Sequence, residues 1–440
     1  MRPVDILRTF DNFDPEQLTV QEGNLEAVEG ASPPSSLEAI LSVVRLALTN
    51  FEDSSDFKQT EAQDLKDRVI QKLERITSAA AMPSSAGVVS ASASDSLREE
   101  KSFYRDLLLD EKLDPYLPEG PRSKKGAFIE MLDSLGDTLL AINPSQYIIR
   151  QGISYGATSQ DVYASDVQNI VSFLHILFDF AKKSDDFDLK ELFHIALLFT
   201  AKRREKIAIL NETPYNCNFG EFRYNYKGEK GIPAWTILGS YSKAYELKIK
   251  EMIASIVKIK PTNPTNIKKE GMVLMVHPQR SASAVNIIFE LELHGGKILL
   301  SLLQNICLID RPTDTIEEKI PHGIRLDHTA PSQLLKLMPH IAHQFEKILQ
   351  MSSDDPHLMR EMAFFQYLMA HACPFLRGSA AICEWFEMAL FATHGFQVQY
   401  KPETCINLEA LTTALPDFVE SYEAGLFFEK LPLRESGASA

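Results

Sequence analysis

The chain has 440 residues, 45% of them hydrophobic and 24% charged, enough for two or three domains with ordinary cores and too many for a disulfide-stapled miniprotein. Forty-five Lys and Arg against 60 Asp and Glu leave a formal charge of -15, which opposes non-specific attraction to phosphate backbones and anionic lipid, so no nucleic acid partner is expected. The five cysteines form no CxxC pair, as expected of reduced thiols in a cytosol, and neither a secretory h-region nor an 18-residue apolar run is present.

Residues 1–35 are acidic and rich in Pro and Ser, and predict a flexible arm that buries little apolar surface. Residues 36–77 carry two stretches of helical apolar spacing, opened by Ser36 as N-cap, and predict a helical hairpin. The Ala/Ser-rich segment 78–96 reads as a linker and places a domain boundary there. Residues 97–430 form the predicted main domain, helix-rich with a β region at about 218–310, followed by a flexible tail at 431–440. Within it, helical periodicity dominates up to about residue 210. The aromatic and polar alternation of FGEFRYNYKGEKGIPAWTIL predicts a hairpin. GMVLMVHP at 271–278 and VNIIFELELHGGKILLSLL at 285–303 predict a small antiparallel sheet turning at His294-Gly295-Gly296. After Asp327 four helical patterns return. The expected fold class is therefore mainly α with a small antiparallel β region (α+β).

The chemistry concentrates between Asp355 and Gly395. Asp355 as cap and Pro356 at the first position predict a helix that runs to about Cys373, where Pro374 ends it. His357 and Glu361 are four apart on that helix, and a carboxylate beside an imidazole raises its basicity and sets its tautomer. His371, fourteen residues after His357, lies roughly 40° around the helix and about 21 Å along it, so the two histidines do not share one reacting atom. A second helix is expected from Ser379, as cap, to Gly395. His371, Arg377, Gly378, Ser379 and the first backbone N–H groups of that helix then form a candidate phosphate site, because a helix N-terminus beside an arginine attracts anions.

These residues carry two resemblances. The order His371, Pro374-Phe375, Gly378 ahead of a helix resembles the Fic motif HPFxxGNGR, although two residues separate His371 from Pro374 and Arg377-Gly378-Ser379-Ala380 stands where the family has its acidic residue and Gly-Asn-Gly. The spacing His357-Leu-Met-Arg-Glu361 is similar to the HxxxE element of LnaB-type translocated bacterial effectors, AMP transferases that also use a serine, for which Ser379, Ser281 and Ser283 are candidates. This resemblance implies transfer of AMP from ATP, with Mg²⁺ on the triphosphate, to a host protein or phosphorylated group. His357 would be the base, Glu361 its orienting partner, and Arg377 with Gly378 and Ser379 the phosphate holder. It also implies a host protein as substrate or activator, and translocation from the bacterial cytoplasm into the host cytosol by a non-Sec route. The alternative is a non-enzymatic effector or scaffold that binds a host protein through its helices.

Other candidates carry weaker signals. His340, His343 and Glu346 share a helical stripe without the HExxH pairing, and read as structural, so no metal centre is assigned. Arg203-Arg204, near a helix end, are expected to complement the helix dipole and stay hydrated. Glu384 and Glu387 read as solvated, and Cys217 as an ordinary thiol. No GxxxxGKS, GxGxxG or GxSxG occurs, which removes support for P-loop, dinucleotide and α/β-hydrolase chemistry.

Overall fold

The apolar stripes read from Leu97 onward become the helices of a computed structural model. It describes Val69 and residues 93–135, 144–149, 160–184, 187–211, 218–227, 231–237, 265–269, 272–278, 282–293, 296–309, 325–401 and 404–433. The chain divides into two units, 1–91 and 92–440. Of the first only Val69, helical and buried, is described. The arm at 1–35, the hairpin at 36–77, the linker up to residue 92 and most of the tail at 431–440 thus lie outside the described residues.

Among the described residues, the second unit opens with helices α1 (Ala93–Leu109), α2 (Glu119–Ser123), α3 (Lys125–Ser134), α4 (Gln160–Lys182) and α5 (Leu189–Asn211). On α4 the series Val167, Ile170, Val171, Leu174, Leu177 and Phe178 is buried, the spacing of a face turned to a core. On α5 every residue from Leu192 to Thr200 is buried, so this stretch of the helix is enclosed on all sides. Three further helices, α6 (Pro331–Gln350), α7 (Leu358–Ala372) and α8 (Ser379–Thr393), complete the layer. The rings of Phe178, Phe193, Phe345, Phe365 and Phe386 meet where α4 to α8 converge, with neighbouring centroids 4.9 to 6.4 Å apart. Each buried Phe contributes about 1.5–3 kcal/mol from desolvation. None of the described helices is long and apolar enough to cross a membrane.

Six strands lie between α5 and α6: β1 (Trp235–Ile237), β2 (Thr265–Lys269), β3 (Met272–Pro278), β4 (Ala282–Leu293), β5 (Gly296–Ile309) and β6 (Arg325–His328). They form one antiparallel sheet in the order β1-β6-β5-β4-β3-β2. The expected turn after Leu293 joins β4 to β5, with Leu293 opposite Gly296. The fold is mainly helical with small antiparallel sheets, as the sequence predicts.

Among the described residues, the hairpin expected at 218–237 is reduced to one backbone bond, Ile232 N–H to Arg223 O at 2.8 Å. Only Trp235–Ile237 is a strand, and it pairs with β6, while Phe219 and Phe222 make single bridges to Arg377 and Phe375. The aromatic alternation reflects burial against residues 374–377. The C-terminal stretch read as one helix is broken at Thr412 into α9 (Ile406–Leu411) and α10 (Leu415–Glu423). Strands β7 (Phe396–Tyr400) and β8 (Phe428–Pro432) flank this pair and form a second, two-stranded antiparallel sheet. At five residues each, they are too short for periodicity to separate them from loop.

Candidate functional site, a cavity with two arginines

The corner between α7 and α8 is built by chain reversal and then locked by a distant segment. Helix α7 ends at Cys373, whose φ of 43° is left-handed, and Pro374 prevents continuation. Residues 374–377 then pair with 219–223. Gly220 N–H donates to Arg377 O at 3.1 Å, Leu376 N–H to Glu221 O at 2.9 Å, and Arg223 N–H to Pro374 O at 3.1 Å. Gly220 fits because a Cβ there would stand 1.9 Å from Ala201 O on α5. Beneath the corner the buried guanidinium of Arg223 donates to Ala372 O and Cys373 O through Nη1, to Thr329 O through Nη2 and to Ile232 O through Nε. A cation on the last carbonyls of α7 also complements the helix dipole.

Helix α8 starts from Gly378, with φ of 85°. A Cβ at this position would lie 2.9 Å from Arg204 Cγ and 3.2 Å from the Phe219 ring. Ser379 is not the cap expected of it. It sits inside the first turn, donates to Phe375 O at 3.2 Å and accepts from Phe375 N–H at 3.2 Å, so it closes the preceding loop. The first intrahelical bond of α8 runs from Ile382 N–H to Gly378 O. The N–H groups ahead of it are those a helix turns toward an anion.

A cavity of about 310 Å³ opens in front of this helix end. Its basic side is Arg204 from α5 and Arg377, whose guanidinium carbons lie 4.1 and 4.8 Å from the centre of the Phe219 ring. One aromatic ring thus holds two cations against one opening. Gly378, Ser379, Ala380 and Ala381 supply the helix end, and Glu384 adds a carboxylate one turn on. Trp385 and Met388 continue the wall along α8, about 15 Å from Gly378 to Met388 at 1.5 Å per residue. Tyr400, Asn407 and His328 also line it. Two of these side chains carry buried atoms with no hydrogen-bond partner among the described residues, Nδ1 of His328 and Oδ1 of Asn407. His328 Nε2 is 2.7 Å from Thr236 Oγ1, and burial, aided by the charge of Arg223, lowers the pKa of His328 to about 3.

The residues singled out in the sequence divide between this cavity and other places. Arg377, Gly378 and Ser379 line it; His357, Glu361 and His371 do not. His357 is the exposed N-cap residue of α7, its N–H bonded to Asp355 Oδ1 at 2.8 Å. The Glu361 carboxylate faces α6, where it accepts from Gln344 Nε2 at 2.7 Å and pairs with Lys347 Nζ at 2.9 Å. Burial raises its pKa, but these two partners outweigh that and hold it below the usual carboxylate value. The expected His357–Glu361 side-chain pairing is thereby replaced by contacts between helices. His371 is fully buried: Nε2 donates to Ala410 O at 3.1 Å, Nδ1 accepts from Ser301 Oγ at 2.7 Å, and burial lowers its pKa to about 3. This imidazole joins α7 to β5 and α9, and is not placed to hold a phosphate. Ser281 and the side chain of Ser283 lie outside the described residues, as does Cys217.

Several other expectations change on folding. Arg203 and Arg204 are buried instead of hydrated, Arg203 paired with Glu100 at 2.6 Å and Asp166 at 3.1 Å. Glu387 is also buried and accepts from Tyr400 and Tyr422. Glu346 pairs with His343 at 3.0 Å and with Lys190 at 3.1 Å. Among the described residues no group of three His, Cys, Asp or Glu side chains is arranged to hold a metal. The sequence had one unused signal for Arg204: it lies between two long apolar runs of a helix with no polar stripe. Phe219, His328 and Asn407 had none, because they reach the cavity from separate elements.

Comparison with known proteins adds one relation. Residues 308–430, from the end of β5 to β8, match the model of a family described as Avirulence protein, AvrB_AvrC. This span holds α7, α8, α9 and most of the cavity wall. No curated protein matches the chain. The similarity covers about a quarter of the chain and supports a bacterial effector directed at a host; it does not extend to AMP transferases of the LnaB type.

Proposed function

We propose that this chain is a host-directed bacterial effector that binds ATP by its phosphates in the cavity before α8 and transfers AMP to a host protein. The observation that carries the reading is the placement of Arg204 and Arg377 on one ring, Phe219, at the N-terminal end of α8. Two guanidinium groups and a helix end attract a polyphosphate and neutralise charge that develops on it.

In this reading an acceptor oxygen bonds to the α-phosphorus of ATP, the α–β anhydride bond breaks, and pyrophosphate leaves. The acceptor proton passes to Glu384, the carboxylate within the lining, since His357 is elsewhere. Mg²⁺ would supply charge neutralisation, held by the phosphates of the nucleotide.

Transfer of label from α-³²P-ATP to proteins of a host lysate tests the reaction. Wild type should label a protein, Arg377→Ala should lose both labelling and ATP binding, and Glu384→Gln should lose labelling while binding persists. Absence of ATP binding, with and without Mg²⁺ and lysate, would leave the scaffold reading in its place.

A further inference from the structure

The cavity has more recognition chemistry than a phosphate needs. Asn407 on α9 is 9% exposed and lines the cavity, and its Oδ1 is buried without a partner among the described residues. A buried carbonyl oxygen left without a donor is destabilising, and that cost is recovered when something that enters supplies an N–H or O–H. The terminal amide torsion is broad, so rotation about it brings the amide edge toward a ligand. The same lining includes the aromatic and apolar side chains of Trp385, Met388, Tyr400 and Leu408. A carboxamide beside aromatic walls pairs with a planar group that carries a donor and an acceptor side by side, and adenine presents its 6-amino group next to a ring nitrogen.

We infer that Asn407 is the specificity residue of the cavity and reads the amino edge of an adenine whose phosphates lie at Arg204 and Arg377. This rests on the nucleotide reading above and deepens it. The lining follows α8 for about 15 Å from the helix end, so it offers wall beyond what the phosphates cover. Asn407 is a positioning group for the base, and makes no contact with the reacting phosphorus.

Calorimetric titration of the full chain with Mg-ATP and with Mg-tripolyphosphate, which has phosphates and no base, separates the two ideas. Wild type should bind ATP at least about tenfold more tightly than tripolyphosphate. Asn407→Leu, close in volume, should lose that preference and keep its affinity for tripolyphosphate. Because the exchange removes an unsatisfied buried oxygen, its melting temperature without ligand should equal or exceed that of wild type. Equal binding of ATP and tripolyphosphate by wild type, or an unchanged preference in Asn407→Leu, overturns the inference and leaves the phosphate site standing. Failure of wild type to bind either ligand removes the nucleotide reading and this inference with it.

Discussion

Arg223 Nη1 donates to Cys373 O at 2.7 Å, across 150 positions of sequence, and so fixes where α7 ends. The same guanidinium holds Ala372, Thr329 and Ile232 by their carbonyls. Replacing it by alanine leaves four carbonyl acceptors without this donor, two of those bonds being buried, and should cost about 3–5 kcal/mol in urea denaturation. Arg223→Lys should recover only part, because one ammonium does not reproduce the fork. A loss below about 1 kcal/mol in the alanine variant would show that the corner holds without it.

Gly378 tests the phosphate end by geometry alone. Its φ of 85° strains any L side chain, and its Cβ would press on Arg204 and Phe219. Gly378→Ala should destabilise by about 1–3 kcal/mol and weaken ATP binding through the displaced Arg204. Full affinity in a folded alanine variant would mean that Arg204 does not contact the ligand.

Acid should unfold the protein early, and five histidines give the sign. Burial lowers the pKa of His175, His194 and His394 to about 4, and of His328 and His371 to about 3. In the unfolded chain each titrates near 6.5, so between about 6.5 and 4 the unfolded state binds more protons and stability rises with pH. Melting temperature should therefore fall steadily from pH 7 to pH 4.5. His371→Asn should give a shallower fall, together with a lower starting value from the lost bonds to Ser301 and Ala410. Parallel profiles for variant and wild type would count against a neutral buried His371.

His357 separates two views of the reaction. It is exposed, and absent from the cavity lining. His357→Ala should leave stability within about 0.5 kcal/mol of wild type, and leave ATP affinity and AMP transfer unchanged, whereas Arg377→Ala removes binding. Loss of transfer with binding intact in His357→Ala would restore the HxxxE pair as catalytic machinery.

Much of the fold was legible before any coordinates. The end of α7 and both ends of α8 follow from Pro374, Gly378 and Gly395, since these residues act on their own backbone within one turn, whereas the N-cap of α7 falls at His357, two residues past Asp355, the cap that the sequence predicts. The hairpin of β4 and β5 followed from alternation and a Gly-Gly turn for the same local reason. Where pairing was decided at a distance, sequence patterns misled: the segment around Phe219 to Tyr226 has strand-like alternation, yet it packs on residues 374–377.

For the candidate site, the sequence by itself determined that Arg377, Gly378 and Ser379 stand at a helix start, because spacing along one chain sets neighbours within a turn. Only the tertiary structure decided that Arg204 and Phe219 join Arg377, that Glu361 turns to Lys347, and that His371 is sealed beside Ser301. Those outcomes depend on which helix faces are buried against each other. Helical spacing tells which residues share a face, but not which partner that face meets, and burial then sets both the charge of each group and what remains within its reach.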